Sequence, residues 1–287
     1  MLRRKKRLII YCSIILILLF IIYKGTTCIY SLWNKEDKTP KDKRLAKLDN
    51  INEKINYFNK DYINRYLSYK EKNPKLKNEE VIIHVNIGID NDYYTNIKRA
   101  TNLNKNTILV NKYNYLTEDY VPDNLESISL DYARSGMQLV REAKDAYEAM
   151  AKAAKQEKLT LVATSSYRSY EYQEKLYNNY VKSDGKEAAD TYSGRPGFSE
   201  HQTGLSVDIY NGKGNYEEFD KTKEFEWVQN NAYKYGFILR FPKGKELLTG
   251  YDYESWHYRY VGTQIATYIH DNNLCFEEYY VQFIEKY

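Results

Sequence analysis

The chain has 287 residues, enough for one domain of ordinary size with further segments around it. Its net charge of +4 rests on a block of five cations, Arg3, Arg4, Lys5, Lys6 and Arg7, so the rest of the chain is close to neutral. A near-neutral body lacks the basic face of a nucleic-acid binder, and no nucleic-acid partner is expected. Of the three cysteines, Cys12, Cys28 and Cys275, only the last falls in the body, which excludes a disulfide framework or a cysteine zinc knuckle there. Tyrosine is abundant, 32 residues against 9 phenylalanines. Such a bias suits a surface that meets sugars or peptides, but Lys, Asn and Ile are also frequent, so a compositional bias explains it as well.

The first element in chain order is an apolar run without charge, Leu8 to Tyr23 (LIIYCSIILILLFIIY). As a helix its sixteen residues reach about 24 Å, short of a ~30 Å hydrocarbon core. Arg7 and Lys24 snorkel outward, and Tyr23, Tyr30 and Trp33 suit the interface. A cleaved signal peptide is the rival, but no convincing small-x-small site follows the run. The expectation is a basic cytoplasmic tail over residues 1–7, a transmembrane anchor over 8–24 and an extracytoplasmic body at the cell membrane, crossed once. Residues 25–44 read as a juxtamembrane linker, charged and carrying Pro40.

Residues 45–106 read as a helical stalk or N-terminal extension. Leu48, Ile51, Ile55, Phe58, Tyr62 and Tyr66 recur at helical spacing, and packing on the body is preferred to a coiled coil. Glu79 to Asn86 (EEVIIHVN) reads as a strand, Thr107 to Val110 as another, and Val121-Pro122-Asp123 as a turn. Met137, Val140, Ala143, Tyr147, Met150 and Ala154 predict a long amphipathic helix. Leu159 to Ala163 follows as a strand. Ser169 caps a helix to about Val181, with Tyr172, Leu176 and Tyr180 on one face, broken at Ser183-Asp184-Gly185. Leu205, Val207 and Ile209 alternate, so residues 204–210 form a strand. Phe225 to Tyr235 is a helix ended by Gly236, Phe237 to Phe241 and Trp256 to Val261 are strands, and residues 262–271 and 276–286 are helices. Helices and short strands mix without βαβ alternation, which gives an α+β class with a small antiparallel sheet flanked by helices.

Four histidines are present, and two stand in unusual company. His201 lies in a Gly/Pro-rich segment, Gly194 to Asp208 (GRPGFSEHQTGLSVD). His257 lies in Glu254 to Tyr260 (ESWHYRY). A catalytic zinc takes three N or O ligands and keeps one open position. His201, Asp208 and His257 supply such a set, and Glu254 is spaced to act as general base on a water there. Spacing alone leaves open whether these histidines are ligands or packed residues. No His-Glu-x-x-His helix occurs. A third segment, Ser165 to Gln173 (SSYRSYEYQ), places Arg168 at a strand-to-helix junction, where it forms either a surface ion pair or a fork for a carboxylate or oxyanion.

Taken together and in order, YRS-x3-Q, SEHQTG-x3-D and E-x-WH-Y-R-Y-V-G resemble the signature of VanY-like D-alanyl-D-alanine carboxypeptidases, over roughly residues 107–271. The stretches 110–116 and 119–125 resemble the family's domain entry, so the catalytic domain is taken as residues 107–287. The resemblance implies a LAS-type fold, one zinc ion per chain, and as substrate a peptidoglycan stem peptide ending in D-alanine. It implies His201, Asp208 and His257 as zinc ligands, Glu254 as base and Arg168 as stabiliser of the transition state. It places Gln173 and Ser199 against the substrate's terminal residue. Two positions depart from the family: Ser206 where Ala is usual and Ser255 where Pro is common. An L,D-carboxypeptidase acting on tetrapeptide stems is the near rival. An inactive wall-binding module is the distant one, since no ligand or base is missing.

Overall fold

The computed structural model describes residues 55–285. The apolar run, the linker, and Leu48 and Ile51 of the helical stripe lie outside the described residues. Among those described, no helix is long and apolar enough to cross a membrane. The described residues form one compact unit. Within it come, in order, α1 (Ile63–Lys72), α2 (Asn78–Ile87), β1 (Lys98–Arg99), β2 (Asn114–Tyr115), β3 (Leu125–Ser127), β4 (Gln138–Val140), α3 (Arg141–Gln156), β5 (Val162–Ser165), α4 (Tyr170–Asp184), α5 (Lys186–Tyr192), β6 (Ser206–Tyr210), α6 (Lys223–Asn231), β7 (Phe237–Leu239), α7 (Glu246–Thr249), β8 (His257–Tyr260), α8 (Thr263–Asp271) and α9 (Phe276–Phe283). The α+β mixture expected from the sequence is present.

The organising element is a four-stranded antiparallel sheet in the order β5-β6-β8-β7. Successive side chains of a strand point to opposite faces, so each strand sorts its residues in two. Val207 and Ile209 of β6, Tyr258 of β8 and Phe237 of β7 enter the main core. There they meet Ala143, Tyr147, Met150 and Ala154 of α3, all fully buried. Each large apolar side chain buried this way contributes about 1.5–3 kcal/mol. Asp208, His257 and Arg259 occupy the alternate positions, and the pairing sets Asp208 directly opposite His257. A second apolar cluster of Leu109, Ile238, Val261, Ile269 and Phe276 seats α8 and α9.

Several elements differ from the sequence reading. EEVIIHVN is the helix α2, not a strand. Its start is fixed by Lys77 N–H donating to Glu80 Oε2 at 2.6 Å, and its end by Gly88 at φ 106°. The buried Val81, Ile82 and Val85 form one helical face, and Tyr66 of α1 locks it by donating to Asn86 Oδ1 at 2.6 Å. Helix α1 begins only at Ile63, after a 3₁₀ turn over Lys60–Tyr62. Residues 107–110 join no strand, although 108–110 are buried. The Ile108 carbonyl is taken instead by Arg259 Nη2 at 2.7 Å. Met137 and Val140 precede α3, because residues 138–140 pair with β3. In α4 the buried face is Gln173 and Tyr177, while Tyr172 is 59% exposed. Beyond Gly185 the chain forms the short helix α5, where Ser183-Asp184-Gly185 suggests only a break.

Lys112 is buried, with Nζ 4.3 Å from the Tyr93 ring centre and 4.6 Å from that of Tyr251. Burial pushes its ammonium down to about 8, against the pull of Asp190 and Asp252. The unfolded chain therefore binds more protons than the folded one between about pH 8 and the ordinary lysine value near 10.5, and the native state gains stability as pH rises through that window. Melting curves should show the stability of the Lys112→Met variant, relative to the parent, falling from pH 8 to 10.5. A difference independent of pH would contradict this.

Candidate active site

The sheet face opposite the core forms the floor of a cleft of about 720 Å³. Asp208 is central in β6 and His257 opens β8. His201 reaches the same point from a 3₁₀ turn, Glu200–Thr203, just before β6. That turn ends at Gly204, φ 66°, where a Cβ would stand 2.9 Å from Leu125 Cδ2 and 3.1 Å from Val140 Cγ1. The preceding loop is held down at Gly197, φ 81°, where a Cβ would stand 2.7 Å from the Leu116 carbonyl oxygen. Arg195 clamps the same loop by a fork onto Asp190 at 2.7 and 3.0 Å and by stacking on Tyr94. Glycine is required at both turn positions by conformation and by space.

One ligand atom from each of His201, Asp208 and His257 lies within 4.8 Å of the other two. Asp208 Oδ1 is 3.5 Å from His201 Nε2 and 3.1 Å from His257 Nδ1. The two rings stand edge to face at 4.9 Å. Ligand atoms each ~2 Å from one tetrahedral ion are about 3.3 Å apart, so the spacing fits. His201 Nδ1 donates to the Ser166 carbonyl at 2.6 Å, which leaves the Nε2 lone pair facing Asp208. His201 Nε2 and Asp208 Oδ1 are both buried without a hydrogen-bond partner. Buried polar atoms are rarely left so, and a cation between them would satisfy both.

The electrostatics agree. Burial and then Arg168 push His201 down to about 4, which keeps it neutral and free to ligate. Burial alone would raise Asp208, but His201 and His257 hold it well below the usual carboxylate range. His257 moves the other way: burial lowers it, yet Asp208 and Glu200 raise it to about 9. That proton sits where the carboxylates demand positive charge, which a divalent ion would supply instead. Glu254 is 6% exposed, and Oε2 lies 3.6 Å from His257 Nδ1. Burial, offset in part by His257, pushes its carboxyl up to about 8.

Arg168 stands at the cleft wall with Nη2 3.5 Å from Asp208 Oδ2. Its backbone N–H donates to the His201 carbonyl at 3.2 Å, and its buried Nε has no partner. Ser199 lines the cleft. Gln173 does not: it is 1% exposed and lies behind Arg168, where its Oε1 accepts from Nη1 at 2.8 Å. Its amide donates onward to the Gly194 carbonyl at 2.7 Å and to Ser193 Oγ at 3.3 Å. Gln173 therefore ties Arg168 to the glycine loop instead of facing the cleft. The outer wall carries Tyr180, Tyr216 and Trp256, the last two packed edge to face at 4.9 Å. Sequence reasoning missed these, and also Glu200, Arg240 and Arg259 around His257. For Arg259 the signal was available, since it lies two residues beyond His257 on the same strand face.

Residues 136–263 match the VanY family, described as D-alanyl-D-alanine carboxypeptidase. The YodJ protein of Bacillus subtilis (strain 168) is 41% identical over 211 residues, which cover 67% of this chain and 75% of that one. The chain belongs to the VanY carboxypeptidase family. Among solved structures, the LD-carboxypeptidase LdcB superposes with a TM-score of 0.62 at 40% identity, covering 69% of this chain and 96% of its own. The vancomycin-resistance D,D-pentapeptidase VanY in complex with Zn(II) gives 0.51 at 32%, covering 61% and 98%. VanYB is also known in complex with D-alanine-D-alanine. All three ligand candidates, Glu254 and Arg168 fall inside the matched segment.

Replacing Gln173 by Leu keeps the volume but leaves the Gly194 carbonyl and one arm of Arg168 without their buried partner. The variant should lose about 1–3 kcal/mol in urea unfolding. A change below about 0.5 kcal/mol, the scatter of neutral substitutions, would reject the tether.

Proposed function

We propose that this chain is a zinc carboxypeptidase that releases the C-terminal D-alanine of peptidoglycan stem peptides. The observation that carries the reading is the convergence of two buried ligand atoms that make no hydrogen bond, His201 Nε2 and Asp208 Oδ1, with His257 Nδ1 beside Glu254. Zinc bound there polarises a carbonyl oxygen and brings the pKa of water toward neutrality. Glu254 takes a proton from the attacking water and passes it to the leaving amine as the C–N bond breaks. Its carboxylate, buried 3.6 Å from His257 Nδ1, stands beside the ligand set, where it can accept a proton and return it. Arg168 supplies the positive charge that faces the developing oxyanion. Ser199 lies on the same wall and contacts the terminal residue, while Gln173 acts through Arg168.

Two bonds are candidates. The family description and the VanYB complex with D-alanine-D-alanine support the D,D bond of a pentapeptide. The greater likeness to LdcB, in identity and in TM-score, favours the L,D bond of a tetrapeptide. Terminal D-alanine leaves in both. The anchor over residues 8–24 and an extracytoplasmic position for the body belong to the same proposal, supported by the basic block and the apolar run. Recovery of the full chain in the soluble fraction would contradict the anchor.

The purified full chain should release D-alanine from stem peptides, faster from the tetrapeptide than from the pentapeptide, and a chelator should abolish release. Release that survives removal of the metal would reject the zinc mechanism. Glu254→Gln should keep stoichiometric zinc and lose turnover by roughly 10²–10⁴. A fully active Glu254→Gln chain would reject the base.

A further inference from the structure

Four buried charges lie behind His257, outside the reaction just described. Glu200, Arg240, Arg259 and Glu277 are 4%, 0%, 0% and 1% exposed. Glu200 Oε1 accepts from Arg240 Nε and from Arg259 Nη1, both at 2.8 Å. The other arms of Arg240 fork onto Glu277 at 2.6 and 2.9 Å. Arg259 Nη2 is used up on the carbonyls of Ile108, at 2.7 Å, and Asn106, at 3.2 Å. Two cations and two anions thus close on one another, and a buried carboxylate between two guanidinium groups stays ionised. One carboxylate oxygen is left over, Glu200 Oε2. It receives Ser206 Oγ at 3.3 Å and stands 3.8 Å from His257 Nε2.

His257 Nε2 is itself buried with no hydrogen-bond partner. The other ring nitrogen, Nδ1, faces Asp208 and Glu254. A closure of about 1 Å would bring Nε2 and Glu200 Oε2 to the length of a charge-assisted hydrogen bond. We propose that Glu200 is a positioning residue for His257: it accepts the Nε2–H of the imidazole and so reserves the Nδ1 lone pair for the metal, with Arg240, Arg259 and Glu277 fixing the carboxylate. This rests on the zinc reading above. Ser206 adds a donor to the same oxygen and holds it toward the ring. The arrangement also accounts for the burial of four charges in a small domain. Hydrophobic residues of similar volume would pack as well but could not select an imidazole tautomer.

The test uses the full chain and its Glu200→Gln variant, each labelled with ¹⁵N at the four histidines. Zinc affinity, from competition with a chromogenic chelator, should fall roughly ten- to hundred-fold in the variant. In the zinc-loaded parent, His257 should carry its proton on Nε2, in the downfield region of strong hydrogen bonds. Glu200→Gln should move that proton upfield and leave the His201 Nδ1 proton, bonded to Ser166, in place. An unchanged affinity together with an unchanged His257 proton would overturn the proposal while leaving the zinc reading intact. Should the variant fail to fold, the parent spectrum decides alone: a zinc-loaded chain with the His257 proton on Nδ1 overturns it. A parent chain that holds no zinc overturns both.

Discussion

Asp208 and His257 stand opposite each other in the β6–β8 ladder, and the site depends on that register. Side chains of a strand alternate between faces, so a slip of one residue would turn Asp208 into the core and bring Val207 or Ile209 to the cleft. The register is fixed from the other side of the sheet. Val207, Ile209 and Tyr258 are fully buried against α3, and their displacement would lose several kcal/mol of apolar burial. The apolar face thus positions the polar one. His201 is brought in separately by a glycine-bounded turn, and Arg168 by the junction of β5 with α4.

The polar face gathers an unusual density of buried charge. Glu200, Asp208 and Glu254 sit close to two imidazoles and three guanidinium groups. Burial would raise Glu200, but Arg240 and Arg259 hold it well below the usual carboxylate range. Glu254 makes no guanidinium hydrogen bond, and burial outweighs the pull of His257 and Arg168, so it remains high. Of the three carboxylates within reach of His257, Glu200 and Glu254 are therefore driven apart in proton affinity by their neighbours. One is suited to holding a ring and the other to exchanging a proton.

Much of this was legible in the sequence where composition and local pattern coincide. Ser169 announces the start of α4, and the alternation of Leu205, Val207 and Ile209 the strand that bears Asp208; Gly236 ends the 3₁₀ turn Ala232–Tyr235 that follows α6, not α6 itself, which stops at Asn231. The three motifs name the residues that converge at the metal position. What local pattern does not carry is tertiary. EEVIIHVN is rich in β-branched residues and reads as a strand, yet Tyr66, the cap at Glu80 and the turn at Gly88 make it a helix. Tyr172 suits a buried face by type, but the fold turns that side of α4 outward and buries Gln173. Residues 107–110 look like a strand and are instead bonded by a side chain, Arg259, about 150 positions away. The Glu200 network joins four segments far apart in sequence, so no spacing announces it.

The proposed zinc ion lies among His201 Nε2, Asp208 Oδ1 and His257 Nδ1. Anomalous diffraction from crystals of the chain, recorded on both sides of the zinc absorption edge, tests it directly. A single peak is expected about 2.0–2.2 Å from each of these three atoms. A peak on the Glu200 side of the His257 ring, at Nε2, or no peak near Asp208, would contradict it.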